Sequence, residues 1–196
     1  MEKKLYPLKF IPVPSKRPWG GSALSKDLGK RFVECDEEGN ETVLGSDVLI
    51  GESWELADMG FVDSVVENGW LAGNTISEIM ETYLERIVGE NVYNWYGRQF
   101  PLLVKFLDVN GKTSVQVHPD DAYAAKNENS LGKNECWYVL DCPEDAKLVL
   151  GNNAKTKEEL SDMIQNGKWD SLYNELPVKK GDLVQIDPGM LHAIKG

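Results

Sequence analysis

The sequence predicts a mainly β protein with inserted helices, folded as a β-sandwich or barrel. Three observations carry that expectation. Short β-type runs bounded by Gly, Pro, Asn or Asp recur along the chain. Two helix-start signatures interrupt them, and no Gly-rich loop joins a strand to a helix, as a nucleotide-binding βαβ unit would require.

The clearest strand candidates are Leu102 to Val109, Thr113 to His118, Cys136 to Asp141, Lys147 to Leu150 and Leu183 to Ile186. The acidic stretch Asp36-Glu37-Glu38-Gly39-Asn40-Glu41 reads as an exposed, solvated loop. The first helical insertion, near 75–90, opens on Thr75-Ile76-Ser77-Glu78. This is a capping box, in which Thr and Glu side chains satisfy free amides at a helix start. Ile79, Tyr83 and Ile87 then recur four apart, with Leu84 beside them, giving one apolar face. The second insertion, near 156–176, opens on Thr156-Lys157-Glu158-Glu159. Leu160, Met163 and Ile164 are expected to supply its buried face, and Asn166-Gly167 its stop.

The 196 residues include 41% hydrophobic and 27% charged, the balance of a globular domain able to bury a core. A net charge of -11 excludes nucleic acid or an anionic membrane as the main partner, since either would need a basic surface. No segment approaches the roughly 18 apolar residues of a membrane span, and no apolar stretch of signal-peptide length follows the amino terminus. Three cysteines, Cys35, Cys136 and Cys142, show no paired spacing and suit a reducing compartment, which points to the cytoplasm.

The chain has only two histidines, His118 and His192. In Thr113-Ser114-Val115-Gln116-Val117-His118-Pro119, alternation puts Ser114, Gln116 and His118 on one strand face. Thr113, Val115 and Val117 fall on the other face, suited to packing. Pro119 ends the strand just past the imidazole. His192 follows a strand and the turn Pro188-Gly189, so both rings sit at strand ends beside sharp turns. Glu135 opens a further strand, and its neighbour Cys136 falls on the opposite face, where a core role is expected. Two imidazoles and a carboxylate, with the Gln116 amide oxygen in reach, would suit Zn²⁺ or Fe²⁺ with an open position. Two isolated histidines would equally be ordinary surface or core residues.

Three segments carry a resemblance: Gln116-Val117-His118-Pro119, Gly132-Lys133-Asn134-Glu135-Cys136-Trp137-Tyr138 and Pro188-Gly189-Met190-Leu191-His192-Ala193. In order and separation they resemble the metal-site motifs of type I mannose-6-phosphate isomerases, above all the shorter bacterial members. Arg17-Pro18-Trp19-Gly20-Gly21 and Gly51-Glu52-Ser53-Trp54-Glu55-Leu56 resemble that family's amino-terminal motifs. Gly181 to His192 also resembles the second motif of cupins.

The resemblance implies a cupin jelly roll, one Zn²⁺ per chain and a small phosphorylated sugar as substrate. The implied reaction is the aldose–ketose exchange of mannose 6-phosphate and fructose 6-phosphate. Gln116, His118, Glu135 and His192 fall on the family's zinc ligands, although in some short members Gln116 does not bind directly. Lys133 falls on a lysine associated with the active site and the substrate phosphate. Lys105, charged among apolar neighbours and so in need of a partner or cavity, is a second substrate-contact candidate. Trp19 could stack on a sugar face or serve as a packing anchor. A dianionic sugar phosphate approaching an acidic chain needs such lysines near the metal. Family members continue past the last ligand, adding strands, a second cupin-like unit and a catalytic arginine. This chain stops at Gly196, so the resemblance implies the amino-terminal metal-binding portion, 1–196, with a complete ligand set and little isomerase activity of its own. The donor set leaves two other classes open, a non-catalytic sugar- or metal-binding module and an Fe(II) cupin oxygenase.

Overall fold

The computed structural model describes residues 4–195, which divide into two compact units, the first ending at Asp108 and the second beginning at Val109. Among the described residues, helices are inserted in both, between five short strands in each. The described strands form four small antiparallel sheets, none closed into a barrel.

In chain order the first unit contains β1 (Val13–Ser15), α1 (Ala23–Lys26), β2 (Val33–Cys35), β3 (Glu41–Val43), β4 (Glu52–Leu56), α2 (Ile76–Tyr83), α3 (Glu85–Val88), α4 (Glu90–Tyr96) and β5 (Val104–Leu107). Strand β4 lies between β1 and β5. Its Glu52, Ser53 and Trp54 are buried. Pro14 is tolerated because β1 is an edge strand, where a missing N–H costs no ladder bond. The acidic 36–41 stretch is the exposed turn of the β2–β3 hairpin. There Asp36 accepts the N–H groups of Glu38 and Asn40, and Gly39 takes φ +83°.

Close backbone approach explains two glycines of the amino-terminal motifs. A Cβ on Gly51 would lie 2.6 Å from Arg17 Cβ and 2.8 Å from Trp19 Cζ3, and one on Gly20 would lie 2.6 Å from the Gly51 nitrogen. Apolar clusters form around Leu24, Phe32 and Ile50, and around Val66, Leu71 and Ile79.

Both bonds of the Thr75 capping box form: Thr75 Oγ1 accepts from Glu78 N–H, and Glu78 Oε2 accepts from Thr75 N–H. Ile79, Tyr83 and Ile87 meet the same apolar cluster. The insertion is nonetheless three short helices, because Leu84 sits at φ +51° and breaks the first. A bulky side chain in that region is strained.

The second unit contains α5 (Asp121–Asn127), β6 (Glu135–Tyr138), β7 (Lys147–Asn152), α6 (Lys157–Gln165), α7 (Trp169–Leu172), β8 (Tyr173–Pro177), β9 (Leu183–Ile186) and β10 (His192–Lys195). The sheet orders are β10-β7-β8 and β6-β9, over a core of Ala146, Leu148, Val178, Val184 and Ile186. Thr156 caps α6, but Glu159 accepts from Lys155 N–H and not from Thr156, so the second box closes on one side only. Asn166 and Gly167 end α6, with Gly167 at φ +64°. Met163 is buried as expected, whereas Ile164, expected on the same buried face, is 44% exposed.

Thr113 to His118 is extended but is not a continuous strand. It makes two isolated antiparallel rungs, Lys112 with Lys195 and Gln116 with His192. Four steps on one side match three on the other, so the segment carries a bulge. Thr113 absorbs the mismatch: its N–H donates to Ile194 O, and its Oγ1 accepts the Ile194 N–H at 3.0 Å. Val115 and Val117, expected on a packing face, are 39% and 55% exposed.

Candidate metal centre

His118, Glu135 and His192 converge in the second unit. Each offers one donor atom, and the three atoms lie within 4.8 Å of one another. Main-chain bonds beside each ligand produce the convergence. Gln116 and His192 exchange both N–H···O bonds, the Gly189 N–H donates to His118 O at 2.8 Å, and the Lys133 N–H donates to Pro119 O at 3.0 Å. The Pro188-Gly189 turn closes through Met190 N–H to Asp187 O, with Gly189 at φ +82°, a conformation that glycine adopts without strain. Alternation on β6 turns Glu135 and Trp137 one way and leaves Cys136 and Tyr138 exposed on the other. Cys136 is therefore a surface thiol and not a core residue. Trp137 packs edge-on against His192, at 5.7 Å between ring centroids.

His192 is buried. Its Nδ1 lies 2.8 Å from Met190 O, and a carbonyl can only accept, so Nδ1 carries the proton. Nε2 is then the ring nitrogen left for a metal. It is fully buried, makes no hydrogen bond and stands 3.1 Å from Glu135 Oε2. His118 Nε2 lies 3.1 Å from the same oxygen. A buried ring nitrogen that faces a carboxylate oxygen without a hydrogen bond is costly unless a cation lies between them. A ligating histidine usually donates its other ring N–H to a carbonyl, as His192 does, so the residues fit a metal ion.

Lys133 stands beside this group. Its Nζ is 2.9 Å from Glu135 Oε1 and 3.2 Å from His118 Nε2. Burial pushes the His118 ring below its ordinary pKa, and the charge of Lys133 pushes the same way, outweighing Glu135. Burial alone would push the Glu135 carboxyl up. The hydrogen bond and charge of Lys133, with the two rings, hold it below the usual range instead. An open cleft of about 530 Å³ lies against His118. Asp120, Tyr123, Glu128, Pro188 and Gly189 help line it, so the positive charge at the donor set comes from Lys133 and not from the cleft wall.

Gln116 is exposed, and its Nε2 donates to Ser114 Oγ at 2.9 Å. Lys105 and Trp19 belong to the first unit. Lys105 has the partner its setting demanded: Nζ reaches Glu52 Oε1 at 3.4 Å and lies 4.7 Å above the Trp54 ring. Glu52 also accepts from Arg17 Nη2 at 3.0 Å and Trp54 Nε1 at 2.8 Å. Trp19 packs over the Gly51 backbone. Sequence reasoning missed the bond from Gly132 N–H to Asp121 Oδ1, 2.9 Å, which fastens the Lys133 loop to the start of α5. The doublet Asp120-Asp121 directly after Pro119 was its only signal.

Residues 8–141 match the family model for phosphomannose isomerase type I, catalytic domain. The chain is 42% identical over 189 residues to mannose-6-phosphate isomerase ManA of Bacillus subtilis, covering 96% of this chain and 54% of that protein. It is 41% identical over 179 residues to a mannose-6-phosphate isomerase of Streptococcus mutans, covering 91% of this chain and 51% of that protein. The crystal structure of the Bacillus subtilis mannose 6-phosphate isomerase superposes with a TM-score of 0.81 at 37% identity, over 96% of this chain and 55% of that one. The chain thus spans about half the length of the curated relatives it matches. The predicted cupin fold agrees with that superposition. With the catalytic-domain model matched from residue 8 to residue 141, the chain belongs to the type I phosphomannose isomerase family.

Proposed function

We propose that this chain is the metal-binding portion of a zinc-dependent aldose–ketose isomerase that interconverts mannose 6-phosphate and fructose 6-phosphate. The observation that carries the reading is the buried, unbonded Nε2 of His192 facing Glu135 Oε2 at 3.1 Å, with His118 Nε2 equally close. Two imidazoles and one carboxylate suit zinc with a position left for substrate. The ion supplies Lewis acidity, polarising sugar oxygens as negative charge develops on them.

The protein's own residues do the rest. His118, Glu135 and His192 hold the ion, and Gln116 stands on the same face as a fourth donor. Lys133 places an ammonium at the donor set, where it favours an anionic sugar and the charge that builds during proton transfer. Lys105 and Trp19 are assigned to substrate contact by resemblance. The Lys105–Glu52 pair and the packing of Trp19 on Gly51 give both residues structural work as well. The reading assigns the reaction to the cytoplasm, supported by the three free thiols and by a phosphorylated metabolite as substrate.

The test is bound zinc together with turnover of mannose 6-phosphate. Both are measured on the 196-residue chain and on a version carried to the length of its relatives. One zinc per chain in both, with turnover in the longer version, is expected. Zinc without turnover in either would favour a binding module. Iron with oxygen consumption would favour the oxygenase class that shares this donor set.

A further inference from the structure

The two oxygens of Glu135 are used differently. Oε2 lies 3.1 Å from Nε2 of both histidines, whereas Oε1 lies 2.9 Å from Lys133 Nζ. Lys133 also reaches His118 Nε2 at 3.2 Å. An ion bound to that nitrogen takes the lone pair this second contact uses, while the contact to Oε1 competes with nothing.

Lys133 is held in place by its own backbone. Its N–H donates to Pro119 O, and the preceding Gly132 N–H donates to Asp121 Oδ1. Gly132 makes this approach feasible, since a Cβ there would lie 2.4 Å from Asp120 C and from the Asp121 nitrogen.

We propose that Lys133 is a positioning residue of the metal centre, which occupies Oε1 so that Glu135 presents Oε2 alone to the ion. The inference rests on the metal reading above and adds the mode in which Glu135 binds. Carboxylates ligate through one oxygen or two, and hydrogen bonds on a ligating carboxylate orient it. A one-oxygen Glu135 leaves more of the coordination sphere for substrate oxygens. Lys133 therefore acts on the metal through Glu135, apart from any contact it makes with substrate.

Cobalt(II) in place of zinc reports this directly, because its visible absorption weakens as coordination number rises. The Lys133 side chain is 36% exposed, so replacing it leaves the core intact, which circular dichroism verifies. In Lys133→Met the second carboxylate oxygen should enter the coordination sphere and visible intensity should fall. Lys133→Arg, which keeps a charged donor, should retain the wild-type spectrum. A folded Lys133→Met that takes up no cobalt, beside a Lys133→Arg that does, would also support the role. An unchanged spectrum in Lys133→Met overturns the inference while leaving the metal centre standing. A wild-type chain that takes up no cobalt overturns the metal reading itself, and this inference with it.

Discussion

Gln116 and His192 face one another across a single antiparallel rung, each N–H donating to the other's carbonyl at 2.9 Å. Residues directly opposite in such a pair project to the same face. Gln116 therefore shares a face with His192, and its amide nitrogen already donates to Ser114 Oγ, so the amide oxygen is the donor atom it has to offer a metal.

From this pairing, Gln116→Ala should weaken zinc binding without abolishing it. A loss of about 10–100-fold fits an outer or weak ligand position. His192→Ala should instead lose stoichiometric zinc, because it removes a buried donor whose tautomer is already fixed by Met190 O. Competition against a calibrated chelator measures both. Equal losses in the two variants would make Gln116 a full ligand.

The three converging donors were legible because each lies next to a local punctuation mark: Pro119 after His118, Pro188-Gly189 before His192, and the start of β6 at Glu135. Strand alternation gave the shared face of Gln116 and His118. What escaped was the lateral partner. Nothing near Lys105 in sequence names Glu52, which meets it only once β4 pairs with β5. Cys136 was put correctly on the face opposite Glu135, but that face is exposed. Alternation tells two faces apart and does not tell which one is covered. The exposed Val115 and Val117 teach the same lesson.

Zinc should stabilise the folded chain by mass action, since the donor set exists only when three distant segments are folded together. At a free concentration near 100 times the dissociation constant the gain is about 2.7 kcal/mol. For a chain of this size that corresponds to a rise in Tm of roughly 5–10 °C. Calorimetry with and without a chelator checks it, and Glu135→Ala should show no zinc-dependent shift. A shift of equal size in that variant would mean that zinc binds elsewhere.

Glu52 should govern part of the acid limb of stability. Burial alone would raise its pKa, but the Trp54 hydrogen bond and the charges of Lys105 and Arg17 outweigh it, so the folded value lies below the ordinary one. A depressed carboxyl binds fewer protons folded than unfolded, so its contribution is present above the unfolded pKa of about 4.3 and is lost as pH falls through the folded value. Glu52→Gln should flatten that limb. At neutral pH it should cost about 1.5–3 kcal/mol, the range for hydrogen bonds to a charged group. Urea unfolding across pH 3–7 provides the comparison, and parallel curves for the two proteins would contradict it.

The fastening of the Lys133 loop yields the last prediction. Gly132 lies too close to the Asp120–Asp121 backbone to accept a side chain, because the obstructing atoms are main chain and cannot swing aside. Gly132→Ala must therefore push the loop outward, at about 1–3 kcal/mol for overpacking. Lys133 and Glu135 lie one and three residues further on, so the displacement reaches the donor set directly. Asp121→Ala loosens the same loop from the other side by removing the acceptor of the Gly132 N–H, without any clash. Both variants should bind zinc more weakly, and Asp121→Asn, whose amide oxygen still accepts, should restore much of the affinity. Zinc titrations of the three variants, with circular dichroism to confirm folding, decide it. If Asp121→Ala and Asp121→Asn bind zinc as tightly as the unaltered chain, the loop does not depend on that bond, and the Lys133 N–H bond to Pro119 O suffices to hold it.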